Sequence, residues 1–229
     1  MNFQAVTGFR RSIHASIRHV LRTTLFRGVL FREGIGKSHD RRSWRPECER
    51  FAERCRPPPP SKACYIGLDF VEGNGVDIVI RDPYRMPFPD VSTDVVVSSS
   101  CFEHSEFFWL TFLEVMRILK DDGIFYLNAP SNGVFHRYPV DCWRFYPDSG
   151  HAMVAWGKYN GYDPILLESF IGQRSTEGIW NDFVAVFLKN ARFSGKYPGR
   201  IIHSLTDFCN GYSSERPGIL NGKKKWADG

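Results

Sequence analysis

A chain of 229 residues with 42% hydrophobic and 24% charged content is sized for one α/β domain with a buried core and appendages. No apolar run approaches the roughly 18 residues a bilayer-spanning helix needs, so no such span is expected. The net charge of +5 is uneven: residues 1–64 carry +9 and the remainder −4, which argues against a nucleic-acid partner, whose basic surface would run through the whole chain.

The first acidic residue is Glu33. Before it, "FRRSIHASIRHVLRTTLFRGVLFR" (9–32) spaces Ile13, Ile17, Val20, Leu21, Leu25 and Val29 as one apolar face with arginines between. This pattern predicts a basic amphipathic helix. Three uses stay open: a helix packed on the domain, a helix lying on an anionic membrane surface, and an Arg-rich targeting segment. The expected location is accordingly cytoplasmic, with peripheral membrane contact through 9–32 as the variant. "RPPPPSK" (56–62) reads as a stiff extended spacer.

From there the pattern alternates. Strands are expected at 63–70, 76–80, 93–100 and 123–130, the third apolar on both faces as a buried parallel strand should be. A helix is expected over 106–120, with Phe108, Phe112, Val115 and Leu119 on one face and Asp121-Asp122-Gly123 stopping it. A second helix lies near 148–158, and late strands at 164–171 and 181–189. The tail from Phe193 reads as loosely ordered, with Ile201, Ile202, Leu205 and Phe208 able to dock as one turn. The division is thus an arm (1–62), a core (63–190) and a tail (191–229). Strands alternating with helices imply a doubly wound, mostly parallel sheet whose ligands bind past the carboxyl ends of the strands, at Asp69, Asp82, Ser98 to Ser100, and Asn128 onward.

"HRYPVDCWRFYPD" (136–148) hangs over that rim and is too rich in aromatic and charged groups for a plain connection. His136, Asp141 and Arg144 suit hydroxyls or a carboxylate, or else pair among themselves. Arg137 and Arg144 can clamp an anion bidentately. The aromatics, Tyr138 among them, either stack on a sugar ring or anchor the loop. Six cysteines at 48, 55, 64, 101, 142 and 209 form no C-x-x-C pair and read as reduced packing thiols; no metal site is expected.

The segment from Asp82 to Asp148 resembles class I S-adenosylmethionine-dependent methyltransferases, and more narrowly a bacterial-type branch with an H-R-Y-P-x-D-x-W-R-F block. The elements D-x-x-x-[LM]-P-F-x-[DE]-x-x-x-D-V-V, E-H, and E-x-x-R-[IV]-L-K-x-x-G occur in order over 82–123, and the likeness extends across roughly 63–190. The resemblance implies a Rossmann-like sheet and S-adenosylmethionine as cofactor. Asp69 would accept the ribose hydroxyls and Asp82 the adenine amino group, with Pro83, Tyr84, Met86 and Phe88 flanking the purine and Ser99 at the rim. Both acids also suit turns: Asp69 as a strand-end cap and Asp82 as a turn initiator before Pro83.

The sequence departs from the family pattern twice. The glycine-rich first motif is poor. Its best match is "GVLFREGIGKS" (28–38), with Gly34 and Gly36 as the glycines and Phe31 where the family keeps an acid, so part of the arm reads as a degenerate first strand. "VEGNG" (71–75) is too short for a crossover helix. That connection is either an extended loop, leaving Asp82 at the rim, or a hairpin, which would send Asp77 there instead.

Methyl transfer needs orientation above all, and a base where the acceptor keeps its proton. His104 and His136 are the candidate bases, although His104 can equally cap the following helix. Glu103 either binds an acceptor hydroxyl or orients His104. Glu114 and Arg117 are read as a local ion pair. The implied function is methyl transfer to a small-molecule or glycan-like acceptor. The alternative is a catalytically degenerate binding or scaffold module. Nothing in the pattern sets an oligomeric state.

Overall fold

The computed structural model describes residues 27–32, 64–73, 76–82, 84–137, 139–172 and 180–222. The expectations for the helix over 9–26, the spacer at 56–62, Gly34, Gly36, Pro83 and Tyr138 lie outside these residues. Among the described residues no helix is long and apolar enough to cross a membrane.

Among the described residues nine strands form one sheet. They are β1 (Arg27–Arg32), β2 (Cys64–Asp69), β3 (Ile78–Val79), β4 (Thr93–Ser99), β5 (Leu119–Pro130), β6 (Ile165–Gly172), β7 (Asp182–Leu188), β8 (Phe208–Ser213) and β9 (Arg216–Leu220). Their order is β3-β2-β1-β4-β5-β7-β6-β8-β9. The first five in that order run parallel, while β7 pairs antiparallel with β5 and β6, so most strands point one way. Helices α1 (Phe108–Ile118) and α2 (Pro147–Tyr159) connect β4 to β5 and β5 to β6.

Residues 27–32 are strand, not the last turn of an amphipathic helix, and the reading of a first strand within the arm is the one observed. β1 sits between β2 and β4, where a strand is buried between neighbours on both edges and needs apolar residues in succession rather than every third or fourth. "GVLF" supplies such a run, and tertiary pairing overrides the helical spacing.

β2 and β3 pair in parallel, which excludes the hairpin. The connection over 70–77 contains no helix among the described residues. It is closed by reciprocal bonds: the Asp77 amide donates to the Gly67 carbonyl (2.9 Å), and the Asp77 carboxylate accepts from the Gly67 amide (2.7 Å). Asp77 is therefore spent on holding the edge strand, and Asp82 is the acid that follows β3.

Helix α1 stops earlier than the sequence pattern implies. Leu119 already pairs with Thr93, and the Lys120 ammonium bonds Asp94 at 2.8 Å, so residues 119–122 are strand. The register slips between Thr93 and Val95. Gly123 sits at this irregularity, where an added Cβ would lie 2.9 Å from the Lys120 carbonyl and 3.0 Å from that of Asp94.

Both sheet faces are buried. Val96, Phe125, Leu127, Ala185 and Phe187 face α1 and α2. Val95, Val97, Ile124, Tyr126, Val184 and Val186 face the other way. That second face explains why residues 191–222 are ordered against expectation. Ile201, Ile202 and Phe208 cover it, and β8 extends the sheet beyond β6.

A buried acid fixes this cover. Glu168, 2% exposed, accepts the amides of Ile201 (2.9 Å) and Ile202 (2.8 Å). Burial pushes its carboxyl above the usual range, against the pull of those two amides and the nearby Arg200 charge. With the folded value raised, this group favours folding most at pH below the ordinary carboxylate range, and that contribution is lost as pH rises through the raised value. Glu168→Ala strands two buried N–H groups and is expected to cost about 2 kcal/mol, read as a lower urea midpoint at unchanged slope.

Candidate functional site

The register across the centre of the sheet builds the site's floor. Arg32 of β1 is level with Ser99 of β4, Ser99 with Asn128 of β5, and Phe31 with Leu68, one residue before Asp69. The carboxyl ends of β2, β1, β4 and β5 therefore share one rim, and in sequence Gly34 and Gly36 directly follow the β1 end. At this rim Ser100 takes a left-handed backbone (φ 49°) that a side chain rarely adopts, while its amide bonds the Asn128 carbonyl at 3.0 Å.

Asp69 is 4% exposed at the end of β2. Its Oδ1 accepts the amides of Phe70 (2.6 Å) and Val71 (3.3 Å), so the strand-end cap is a role it does play. Asp82 is exposed and initiates a turn, its Oδ1 accepting the Tyr84 amide at 2.8 Å. Met86 is 2% exposed within the core beneath α1. Phe88 packs against the same core, whereas Tyr84 lies at the surface side, its ring 5.6 Å from that of Phe107.

Beyond β4 the chain turns through a short 3-10 helix, Phe102–His104, which carries Glu103 and His104. Glu103 is 1% exposed, and its backbone carbonyl accepts the amides of Cys142 (2.8 Å) and Trp143 (3.2 Å) from the loop after β5. Trp143 donates its indole N–H to the Ser105 carbonyl (2.9 Å) and meets Phe108 and Trp109 edge-on. Phe145 is buried. These aromatics therefore anchor the loop onto the 102–105 turn.

His104 does not cap α1, whose N-cap is Phe107 with no side-chain bond. Its Nδ1 bonds the Val140 carbonyl. A carbonyl can only accept, so a proton sits on Nδ1, and in its neutral form the ring carries its lone pair on Nε2. That Nε2 lies 3.8 Å from the Glu103 carboxylate, and the His136 ring stands 4.9 Å away, edge to face. Sequence spacing brings Glu103 and His104 together but gives no sign that His136, 32 residues on, completes a cluster. The loop's fold does that.

His136, Asp141 and Arg144 do converge. Arg144 grips both Asp141 oxygens, Nη2 to Oδ2 at 2.8 Å, and also donates to the carbonyls of Trp143 (2.8 Å) and Val134 (2.9 Å). The Asp141 carboxylate accepts the His136 amide (2.7 Å) and faces His136 Nδ1 at 3.3 Å. The Arg144 guanidinium holds Asp141 down at about 2, so it is ionised at neutral pH. Because the folded value is depressed, this pair's contribution is complete above the ordinary carboxylate range and fades only as pH falls toward about 2. Arg137 is exposed and donates to the Pro139 carbonyl (3.2 Å), outside this network.

Two features of the loop escaped sequence reading. Trp180, just before β7, lies 4.9 Å from the His136 ring, and the Arg144 guanidinium is 5.6 Å from its centroid. Gly133 (φ 113°) is the only residue type that fits beside it, since an added Cβ would fall 1.9 Å from Trp180.

The comparisons agree with this architecture. A family model described as a methyltransferase domain matches residues 60–127. No curated protein matches the chain in sequence. Among solved structures, 1,6-didemethyltoxoflavin-N1-methyltransferase of Burkholderia thailandensis, with bound 1,6-didemethyltoxoflavin and S-adenosylhomocysteine, is similar at TM-score 0.52 and 11% identity, over 80% of this chain and 78% of that one. A SAM-dependent methyltransferase from Archaeoglobus fulgidus is similar at TM-score 0.51 and 14% identity, over 82% and 100%. A putative sarcosine dimethylglycine methyltransferase from Galdieria sulphuraria gives 0.51 and 13%, over 79% and 86%. Strand order, rim and likeness together give this chain the class I methyltransferase fold, with a methyltransferase-domain match over residues 60–127.

Proposed function

We propose that the protein is an S-adenosylmethionine-dependent methyltransferase that modifies a small-molecule or glycan-like acceptor. The observation that carries this reading is Asp69: a buried carboxylate, fixed by two turn amides, at the end of the strand next to β1 in a class I sheet. Its setting fits a group that accepts the two ribose hydroxyls. Asp82, on the turn after β3, takes the adenine end, together with Pro83, its neighbour in sequence. Ser99 stands at the methionine end of the same rim, and Gly34 and Gly36, which follow β1 in sequence, are proposed to serve the same part of the cofactor.

Bound there, the cofactor supplies an electrophilic methyl group on a sulfonium. The chain's own work is to hold the acceptor in line and keep water out. The loop over 136–144 does the covering, pinned by Trp143 and Phe145. Arg137, Tyr138, Asp141 and Arg144 of this loop sequence are the groups proposed to bind acceptor hydroxyls. His104 presents a lone pair on Nε2, and Glu103 beside it stabilises the imidazolium formed when that nitrogen takes the acceptor's proton. His136 is the second such ring.

Titration calorimetry of the full chain with S-adenosylmethionine and with its demethylated product tests the reading. Binding of both at micromolar concentration is expected. Absence of heat at high micromolar concentration would favour the second reading, a non-catalytic binding module of the same fold. One observation speaks for that module: Asp141 and Arg144 spend their charges on each other and on the loop backbone.

A further inference from the structure

We propose that Glu103, His104 and His136 form a binding site for a divalent transition-metal ion of the zinc type. One ligand atom from each lies within 4.8 Å of the other two. A tetrahedral zinc centre with bonds near 2.0–2.1 Å spaces its ligands roughly 3.3 Å apart. The His104 Nε2 to Glu103 Oε1 separation is 3.8 Å and all three ligand atoms lie within 4.8 Å, so closing the set takes a contraction of roughly 1.5 Å at most. The half-buried His136, on the loop after β5, is the member able to supply most of it.

The surroundings prepare both rings as ligands. Metal-binding histidines characteristically donate their other ring N–H to a carbonyl or carboxylate, which fixes the tautomer and aims the lone pair. His104 Nδ1 bonds the Val140 carbonyl. His136 Nδ1 faces the ionised Asp141 carboxylate at 3.3 Å and the Val134 carbonyl at 3.4 Å, all acceptors. In the neutral form of both rings these acceptors leave the lone pair on Nε2. Arg144 in turn holds Asp141 in place. Two imidazoles and one carboxylate make a borderline donor set, suited to zinc rather than to magnesium or calcium, and three protein ligands leave a fourth position for an exogenous oxygen.

The use of such a site in catalysis rests on the methyltransferase reading; the site itself does not. A cation there would acidify an acceptor hydroxyl held at the fourth position, and the two histidines would serve the metal instead of taking the proton.

The test uses the full chain, stripped with chelator and dialysed, then titrated with ZnCl2 against a chromophoric chelator and, separately, loaded with Co2+ for its absorption spectrum. One equivalent of Zn2+ is expected, weakened at least about 100-fold in His136→Ala. The Co2+ spectrum should lack a thiolate charge-transfer band, and this readout needs no variant. No stoichiometric binding, binding unchanged in a folded His136→Ala protein, or a thiolate band would each overturn the proposal. Calorimetry with S-adenosylmethionine on the stripped protein separates the two readings. Cofactor binding without metal binding sinks the metal site alone, and metal binding without cofactor binding sinks the methyltransferase reading alone.

Discussion

Glu114→Ala is expected to lower folding stability by about 3–5 kcal/mol, the cost typical of removing one partner of a buried, hydrogen-bonded ion pair. Glu114 is 6% exposed on α1. It accepts the Met86 amide at 2.6 Å and the Arg117 Nε–H at 2.8 Å. Arg117 then reaches forward to the carbonyls of Phe88 (2.9 Å) and Met86 (3.1 Å) and to Asp90. The pair thus clamps the segment between β3 and β4 onto the helix. Its acidic partners hold the Arg117 guanidinium well above even its usual range, so no accessible pH discharges it. Alanine would leave a buried amide without its acceptor and the arginine without its closest counter-charge. Glu114→Gln keeps an acceptor for the Met86 amide and should cost about half as much. Urea denaturation measures both, and equal midpoints for Glu114→Ala and wild type would refute the clamp.

Asp69→Asn should weaken S-adenosylmethionine binding by roughly 100-fold or more, since hydrogen bonds to a charged acceptor contribute about 1.5–3 kcal/mol each and the ribose offers two. The choice of asparagine matters. Its amide oxygen can still accept the Phe70 and Val71 amides that Asp69 Oδ1 now holds, so the turn after β2 survives. The second oxygen becomes an NH2 group, which cannot accept from a ribose hydroxyl. Affinity should therefore fall while the thermal midpoint stays close to wild type. Asp69→Ala, by contrast, should lose both affinity and stability. Unchanged affinity in Asp69→Asn would reduce this carboxylate to a turn cap and remove the main support for the proposed activity.

Much of the frame was legible in the sequence because it depends on local periodicity and on turn chemistry. The run 93–100 read as a strand apolar on both faces, observed as Thr93–Ser99, and α1 announced its buried stripe. The Glu114–Arg117 ion pair followed from i, i+3 spacing, but its grip on residues 86–90 did not, because that contact spans 27 residues and more. The end of α1 was misplaced for a similar reason. Asp121-Asp122-Gly123 is a good local stop, yet Leu119 had already been claimed by pairing with Thr93. The tail looked loose because it is rich in Gly, Lys and Ser, whereas Ile201, Ile202 and Phe208 within it cover the second sheet face.

The sequence by itself determined the α/β alternation, the acids at the strand ends and the loop dense in charge and aromatic rings, since each is written in adjacent residues. Only the tertiary structure decided that Arg27–Arg32 is a central strand, that β3 runs parallel to β2, and that His136 meets Glu103 and His104. Those outcomes depend on which distant segment supplies the hydrogen bonds and buries the side chains, and chain proximity carries no record of that choice.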